Sequence, residues 1–356
     1  MLRLTNKSIG ICEYPGCLQR KAHMIRVHKP NKGAVNIDSK VKERWIILGF
    51  LTLILFNDKG YSMQTDESII LSDGRTLAFA EYGDSLGFPI FYFHGGQESR
   101  LSSIFMDRSA KELNIRIISP DRPGIGNSTF QDNRQFLDWG RDIAELADSL
   151  GLDKYSVFGL SGGAPHVLAC ILADSSSIQN ASIISGATPY NYKGTLRDMW
   201  FPVKLIHWFA SMKNDKQLRK FIQNDFDGLV NKPEKRMKQF QNYLPKPDKI
   251  LMTNHPEYGW EFIEGSKESY RQGIEGVVQE WKLYVSDWQM ELNTIHFPIN
   301  LWYGSSDKMA PVNRAYYYDN ELPESMLKVI ENEGHFSLIR NHLKEILIEL
   351  KPLPNN

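Results

Sequence analysis

A serine stands among glycines in Gly159-Leu160-Ser161-Gly162-Gly163, after an apolar run and before a helix-forming one. A nucleophile on a sharp strand-to-helix turn needs small neighbours, because the backbone folds tightly on itself there. Such a turn exposes the hydroxyl and sets it near the positive end of a helix. Serine at its ordinary pKa is a weak nucleophile, so a base must stand within hydrogen-bonding reach. His335, in Glu333-Gly334-His335-Phe336, is the candidate base, and Asp307, closing Gly304-Ser305-Ser306-Asp307, is the candidate partner that holds its tautomer. Each has a purely structural alternative: His335 as a cap of the last helix, Asp307 as the closure of a turn before Pro311.

Attack by serine on an acyl group develops an oxyanion, which preorganised N–H donors must meet. The amide of Gly162, just after the serine, and that of Gly96, in His94-Gly95-Gly96, are the candidates. His94 reads as a brace for that loop rather than as a base. His166 and His342 fall within helices and read as packing or surface residues. His207, His255 and His296 lie in or beside the middle region, where a substrate contact is conceivable.

These residues need a scaffold that brings distant segments to one edge. Runs at 69–71 and 76–82 flank Asp73-Gly74, a dipeptide suited to a tight hairpin turn. Strand-like runs follow at 89–93, 115–119, 155–160 and 181–185, with helical patterns at 103–113, 136–150 and 164–173 between them. This alternation predicts a mostly parallel sheet covered on both faces. From 188 to 296 the strand signals fade and helical patterns take over, carrying five of the eight tryptophans. The rhythm then returns with strands at 298–303 and 326–330 and helices at 313–320 and 336–350, the last read as one closing helix. The expected division is therefore a tail at 1–66, a core at 67–187 and 297–356, and a helical insertion at 188–296.

With Phe93-His94-Gly95-Gly96, Asp121-Arg122-Pro123-Gly124-Ile125-Gly126-Asn127-Ser128, the elbow at 159–163, Asp307 and Gly334-His335 in this order, the chain resembles the α/β-hydrolase superfamily across roughly residues 67–350. The resemblance implies an α/β fold with a mostly parallel eight-stranded sheet, helices on both faces and a helical cap at about 188–296. It also implies structural rather than catalytic roles for Asp121 and Arg122. Serine at the elbow speaks against the haloalkane dehalogenases and epoxide hydrolases, which use aspartate there. Leu160 and Gly162 depart from the Gly-Gly-Ser-Trp-Gly usual in proline iminopeptidase-like members, and Glu98 departs from the common form of the preceding loop.

The reaction expected is hydrolysis of a small or medium carboxylic ester through an acyl-enzyme, without metal or organic cofactor. Trp200, Trp208, Trp260, Trp281 and Trp288 are candidate pocket residues, with packing among the helices as the plainer alternative. The same triad would serve a peptidase, a thioesterase or a carbon–carbon bond hydrolase, or persist in a ligand receptor that works by cap movement. Lys plus Arg and Asp plus Glu balance at 42 each, which removes the electrostatic argument for nucleic acid as partner. The balance is uneven along the chain: residues 1–44 carry ten Lys or Arg against three acids, so the remainder is acidic by seven. Cys12, Cys17, His23 and His28 are too closely spaced for a C2H2 zinc finger, which leaves an unstructured basic tail. The twelve-residue apolar run at 45–56 falls short of a bilayer span and fits a signal-peptide core or membrane anchor. Export or membrane association is the expectation, with a cytoplasmic location as the alternative.

Overall fold

The computed structural model describes residues 64–352. Eight strands form one sheet in the order β1-β2-β4-β3-β5-β6-β7-β8. The first hairpin joins β1 (Gln64–Ile70) to β2 (Thr76–Gly83), antiparallel, across a turn where Gly74 takes φ +86°. β2 also pairs antiparallel with β4 (Ile115–Pro120). Every other pairing is parallel, through β3 (Phe88–Phe93), β5 (Tyr155–Leu160), β6 (Ile178–Ile184), β7 (Ile299–Gly304) and β8 (Ser325–Ile330).

Parallel strands need crossover helices, and these bury both faces of the sheet. The two-residue period of a strand sends alternate side chains to opposite layers. In β3, Phe91 and Phe93 join the cluster beneath α2 (Asp138–Ser149), α3 (Ala164–Asp174) and α10 (Asn313–Glu321). Ile90 and Tyr92 join the opposite cluster, beneath α1 (Asp107–Glu112), α11 (His335–Asn341) and α12 (Leu343–Leu350). Buried apolar side chains of this size contribute about 1.5–3 kcal/mol each.

Three local expectations need correction. The helix expected at 103–113 begins earlier as a 3-10 segment, Arg100–Met106, capped by Ser99, before turning α-helical. The strand expected at 181–185 begins at Ile178. The single closing helix is two, because His342 leaves helical geometry at φ −109° and ψ 13°. That break lets Leu338 and Ile339 on one side, and Ile346, Leu347 and Leu350 on the other, bury in the same cluster.

Between β6 and β7 six helices are inserted: α4 (Phe201–Ser211), α5 (Lys216–Asn231), α6 (Pro233–Tyr243), α7 (Lys246–Asn254), α8 (Pro256–Ser269) and α9 (Glu275–Val285). Five of them share a buried cluster around Ile206, Leu218, Ile222, Ile263 and Val277, into which Ile125 of the core projects, while Leu251 and Met252 of α7 pack with Phe336. The run at 45–56 and the cysteines at 12 and 17 lie outside the described residues. Among the described residues no helix is long and apolar enough to cross a membrane.

Candidate active site

β5 ends at Leu160, and a single 3-10 turn, Ser161–Gly163, leads into α3. Ser161 sits at φ +53°, in the left-handed region that a side chain disfavours. A conformation of this kind costs on the order of 1–3 kcal/mol and persists only where its surroundings hold it. Here the amide of Ala187 donates to the Ser161 carbonyl at 2.9 Å. On the far side, a Cβ added to Gly163 would meet the Phe93 carbonyl oxygen at 2.2 Å, so β3 and the turn touch backbone to backbone.

Two strands further along the same sheet edge, Asp307 and His335 meet. Asp307 Oδ2 accepts from His335 Nδ1 at 2.7 Å, and both side chains are buried. Asp307 Oδ1 accepts the amides of Met309 at 2.7 Å and Ala310 at 2.9 Å. Asp307 therefore closes a turn and holds the histidine at once, one oxygen for each task. Donation from Nδ1 leaves the Nε2 lone pair free to take a proton. Burial opposes a charged imidazole, but the charge and hydrogen bond of Asp307, helped by Asp248 and Glu98, outweigh it and raise the His335 pKa above its ordinary value. No hydrogen bond joins Ser161 Oγ to His335 among the described residues; such contacts commonly tighten only around substrate.

His335 also opens α11, and the carboxylate that caps this helix comes from the insertion. Asp248, in α7, accepts the amides of His335 at 3.0 Å, Phe336 at 3.1 Å and Ser337 at 2.8 Å. Gly334 makes room for it: a Cβ there would stand 2.5 Å from either carboxylate oxygen. Sequence reasoning missed Asp248, and the glycine before His335 was the available signal.

The two candidate oxyanion donors lie side by side. A Cβ on Gly162 would fall 3.0 Å from the Gly96 amide nitrogen. Gly162 lies in the first turn of its helix, where amides lack intrahelical partners, and the Gly96 amide donates to no acceptor among the described residues. His94 Nδ1 contacts the Gly95 carbonyl at 3.0 Å, and burial together with the nearby Arg122 charge keeps its pKa well below the ordinary value. Arg122 donates to the His94 carbonyl at 2.6 Å and the Gly95 carbonyl at 2.8 Å. Its Nε faces Glu280 Oε2 at 2.8 Å, in an ion pair poorly aligned as a hydrogen bond. Glu280, from α9, also pairs with Arg134. Burial would raise its pKa, yet the two guanidinium groups hold it down at about 2. The Tyr284 hydroxyl lies between Glu280 Oε2 at 2.9 Å and the Gly162 carbonyl at 3.1 Å. Its single proton can serve only one of them.

A profile of the α/β-hydrolase fold matches residues 89–341, most of the chain. The chain belongs to the α/β-hydrolase fold family. It is similar to a proline iminopeptidase of Xanthomonas citri, 32% identical over 123 residues that cover 33% of this chain and 38% of that enzyme. An uncharacterised hydrolase of Bacillus subtilis, YcgS, is 22% identical over 75% of this chain and 90% of its own length. Among solved structures, a thermophilic esterase from Thermogutta terrifontis superposes with a TM-score of 0.56 at 18% identity, covering 82% of this chain and 97% of that one. At that identity the likeness speaks for the α/β-hydrolase fold alone.

The remaining residues singled out in this α/β-hydrolase sequence separate into scaffold and surface. Asp121 is buried against Arg100, accepting from its amide at 2.7 Å and its guanidinium at 2.8 Å, and burial pushes its pKa up to about 6. His166 is buried in α3 with Nδ1 at 3.1 Å from the Gly162 carbonyl. His207 contacts the Val203 carbonyl within α4, His255 and His296 are exposed, and His342 contacts Glu345. None of the five candidate tryptophans lines the cavity beside Leu160 and Phe336. Trp208 and Trp260 are exposed, and Trp288 is buried against Phe136. The rings at that cavity belong instead to Tyr92, Phe105, Tyr258, Phe262 and Phe336. Among the described residues no group of His, Cys, Asp and Glu is arranged to hold a metal.

Proposed function

We infer that this α/β-hydrolase is a serine hydrolase that cleaves a small or medium carboxylic ester through an acyl-enzyme. The observation that carries the reading is the 2.7 Å contact between Asp307 and His335 Nδ1, set on the same sheet edge as a serine held at φ +53°. In this reading His335 Nε2 takes the Ser161 proton as Oγ attacks the ester carbonyl, and returns it to the leaving alcohol. Water then attacks the acyl-enzyme by the same route in reverse. The amides of Gly96 and Gly162 receive the oxyanion, each donor of this kind contributing on the order of 3 kcal/mol to the barrier. Asp307 holds the imidazole, and Asp248 holds the backbone that carries it. Turnover of p-nitrophenyl acyl esters tests the assignment: Ser161→Ala abolishes it, and an undiminished rate refutes the nucleophile. The partial similarity to a proline iminopeptidase favours a second reading, an amide-cleaving enzyme with the same triad. A series of matched esters, thioesters and amides separates the two.

A further inference from the structure

Glu98 follows the oxyanion loop by two residues and is a buried carboxylate, 6% exposed. One of its oxygens, Oε2, accepts the Gly95 amide at 3.0 Å. The side chain lines a cavity of about 30 Å³ together with Tyr92, Ser102, Arg340 and the rings of Phe105 and Phe336. Tyr92 is wholly buried, and its hydroxyl has no hydrogen-bond partner. A buried hydroxyl left unsatisfied is costly, so a group that completes it is favoured there. The cavity adjoins the site already described: Leu160 precedes the nucleophile, and the Phe336 ring packs edge-on against the His335 ring with centroids 5.4 Å apart.

Chemistry narrows the occupant. Burial raises the Glu98 pKa; while ionised the side chain only accepts hydrogen bonds, whereas the Tyr92 hydroxyl can donate and accept. A carbonyl would satisfy Tyr92 but face the carboxylate with its own negative end. A hydrocarbon would satisfy neither. An ammonium could donate to both, yet the Arg340 guanidinium forms another wall of the same cavity. Arg340 is already held by Glu261 at 2.7 Å and stacked on Phe105 and Tyr258, each 4.0 Å from ring centroid to guanidinium carbon, so it stays charged and in place. Ser102 Oγ accepts the Ser99 amide at 3.3 Å. The volume suits a small polar group and exceeds what a single water molecule needs. A hydroxyl donates to Glu98, accepts from Tyr92, adds no charge and is smaller than an amide, the other neutral group that can do both.

We propose that the Tyr92–Glu98 cavity is a specificity subsite for a hydroxyl group of the substrate, carried one or a few bonds from the scissile ester. The proposal rests on the serine-hydrolase reading and gives it a substrate class, hydroxylated esters. On this account a hydroxyl displaces bound solvent from the cavity and orients the ester over Ser161, while plain esters leave the two polar groups to water.

The test compares kcat/KM for p-nitrophenyl butyrate with its 2- and 3-hydroxy, 2- and 3-amino and 2- and 3-methyl counterparts. Propyl butyrate against ethylene glycol monobutyrate extends the comparison to the alcohol side. At one position the hydroxyl compound is preferred over its methyl counterpart at least about tenfold. Tyr92→Phe and Glu98→Gln, checked for unchanged thermal unfolding, each bring that ratio towards one. A preference for the amino compounds, a hydroxyl preference that survives both substitutions, or no preference at any position (the cavity then holding only water) overturns the proposal. Ester turnover that persists in Ser161→Ala would instead sink the underlying hydrolase reading.

Discussion

The sheet edge and the inserted helices supply the site in different ways. At the sheet edge Ser161, Asp307 and His335 each stand just past the end of a strand, so their placement follows from local order: strand, turn, helix. The insertion reaches the same place through Asp248, Glu280 and Tyr284, whose partners are 87 and 122 residues away in the case of His335 and Gly162. In the proposed reading strand ends provide the reacting groups, and the insertion braces the segments that carry them with the buried carboxylates of Asp248 and Glu280. Substitutions on the first side should strike chemistry, and those on the second should strike geometry and stability.

The largest effect is expected from the core. Asp307→Asn preserves shape but lets His335 adopt the wrong tautomer, and kcat should fall on the order of 10⁴-fold while thermal stability changes little. Steady-state kinetics beside a melting curve separate these two quantities. Next comes the insertion. Glu280→Ala strands Arg122 and Arg134 as buried, uncompensated cations, a loss of about 3–5 kcal/mol in chemical denaturation. The sign of its pH dependence follows from a folded pKa of about 2 against an ordinary 4.5. The contribution is complete above the ordinary value and is lost as pH falls towards 2. Glu280→Gln should therefore flatten acid unfolding in that window, and an unaltered acid limb would contradict the pairing.

Asp248→Asn is the intermediate case. It keeps an acceptor for α11 but replaces one oxygen with an amide that faces the His335 N–H, a loss of about 1.5 kcal/mol or roughly tenfold in kcat. Because a neutral His335 is the working form, activity falls as pH drops through its raised pKa, above the ordinary 6.5. Removing the Asp248 charge lowers that pKa, so the acid limb of kcat/KM should move to lower pH in the variant. A purely structural role for Asp248 would leave the limb in place. The smallest effect is expected at Trp208, 55% exposed on α4: Trp208→Ala should change stability by no more than about 0.5 kcal/mol and leave kcat/KM unaltered.

The contrast also explains what could be read before any coordinates. Apolar runs such as that of β3, ending in His94-Gly95-Gly96, and glycine-rich strand ends mark the sheet and its carboxyl edge directly, because local backbone geometry demands them. The candidate residues Ser161, Asp307 and His335 were therefore visible as strand-end residues. Asp248 was not: in Lys246-Pro247-Asp248 it reads as an ordinary acid in the first turn of its own helix, and only the tertiary approach of α7 to α11 gives it three amides. The tryptophans could not be assigned for the opposite reason. Aromatic content in a helical segment is equally compatible with a core, a surface or a pocket, and periodicity does not say which. The break at His342 was hidden because apolar spacing continues unbroken across it, whereas the chain bends there to keep both halves on the sheet.

Covalent labelling addresses the shared foundation of these expectations. The folded protein is treated with a fluorophosphonate, and the modified peptide is located by mass spectrometry. Stoichiometric phosphonylation of Ser161, much slowed in Asp307→Asn and absent in Ser161→Ala, is the outcome expected of a hydroxyl activated by the Asp307–His335 pair. Labelling at another serine, or none on Ser161 in protein that unfolds cooperatively, would contradict it.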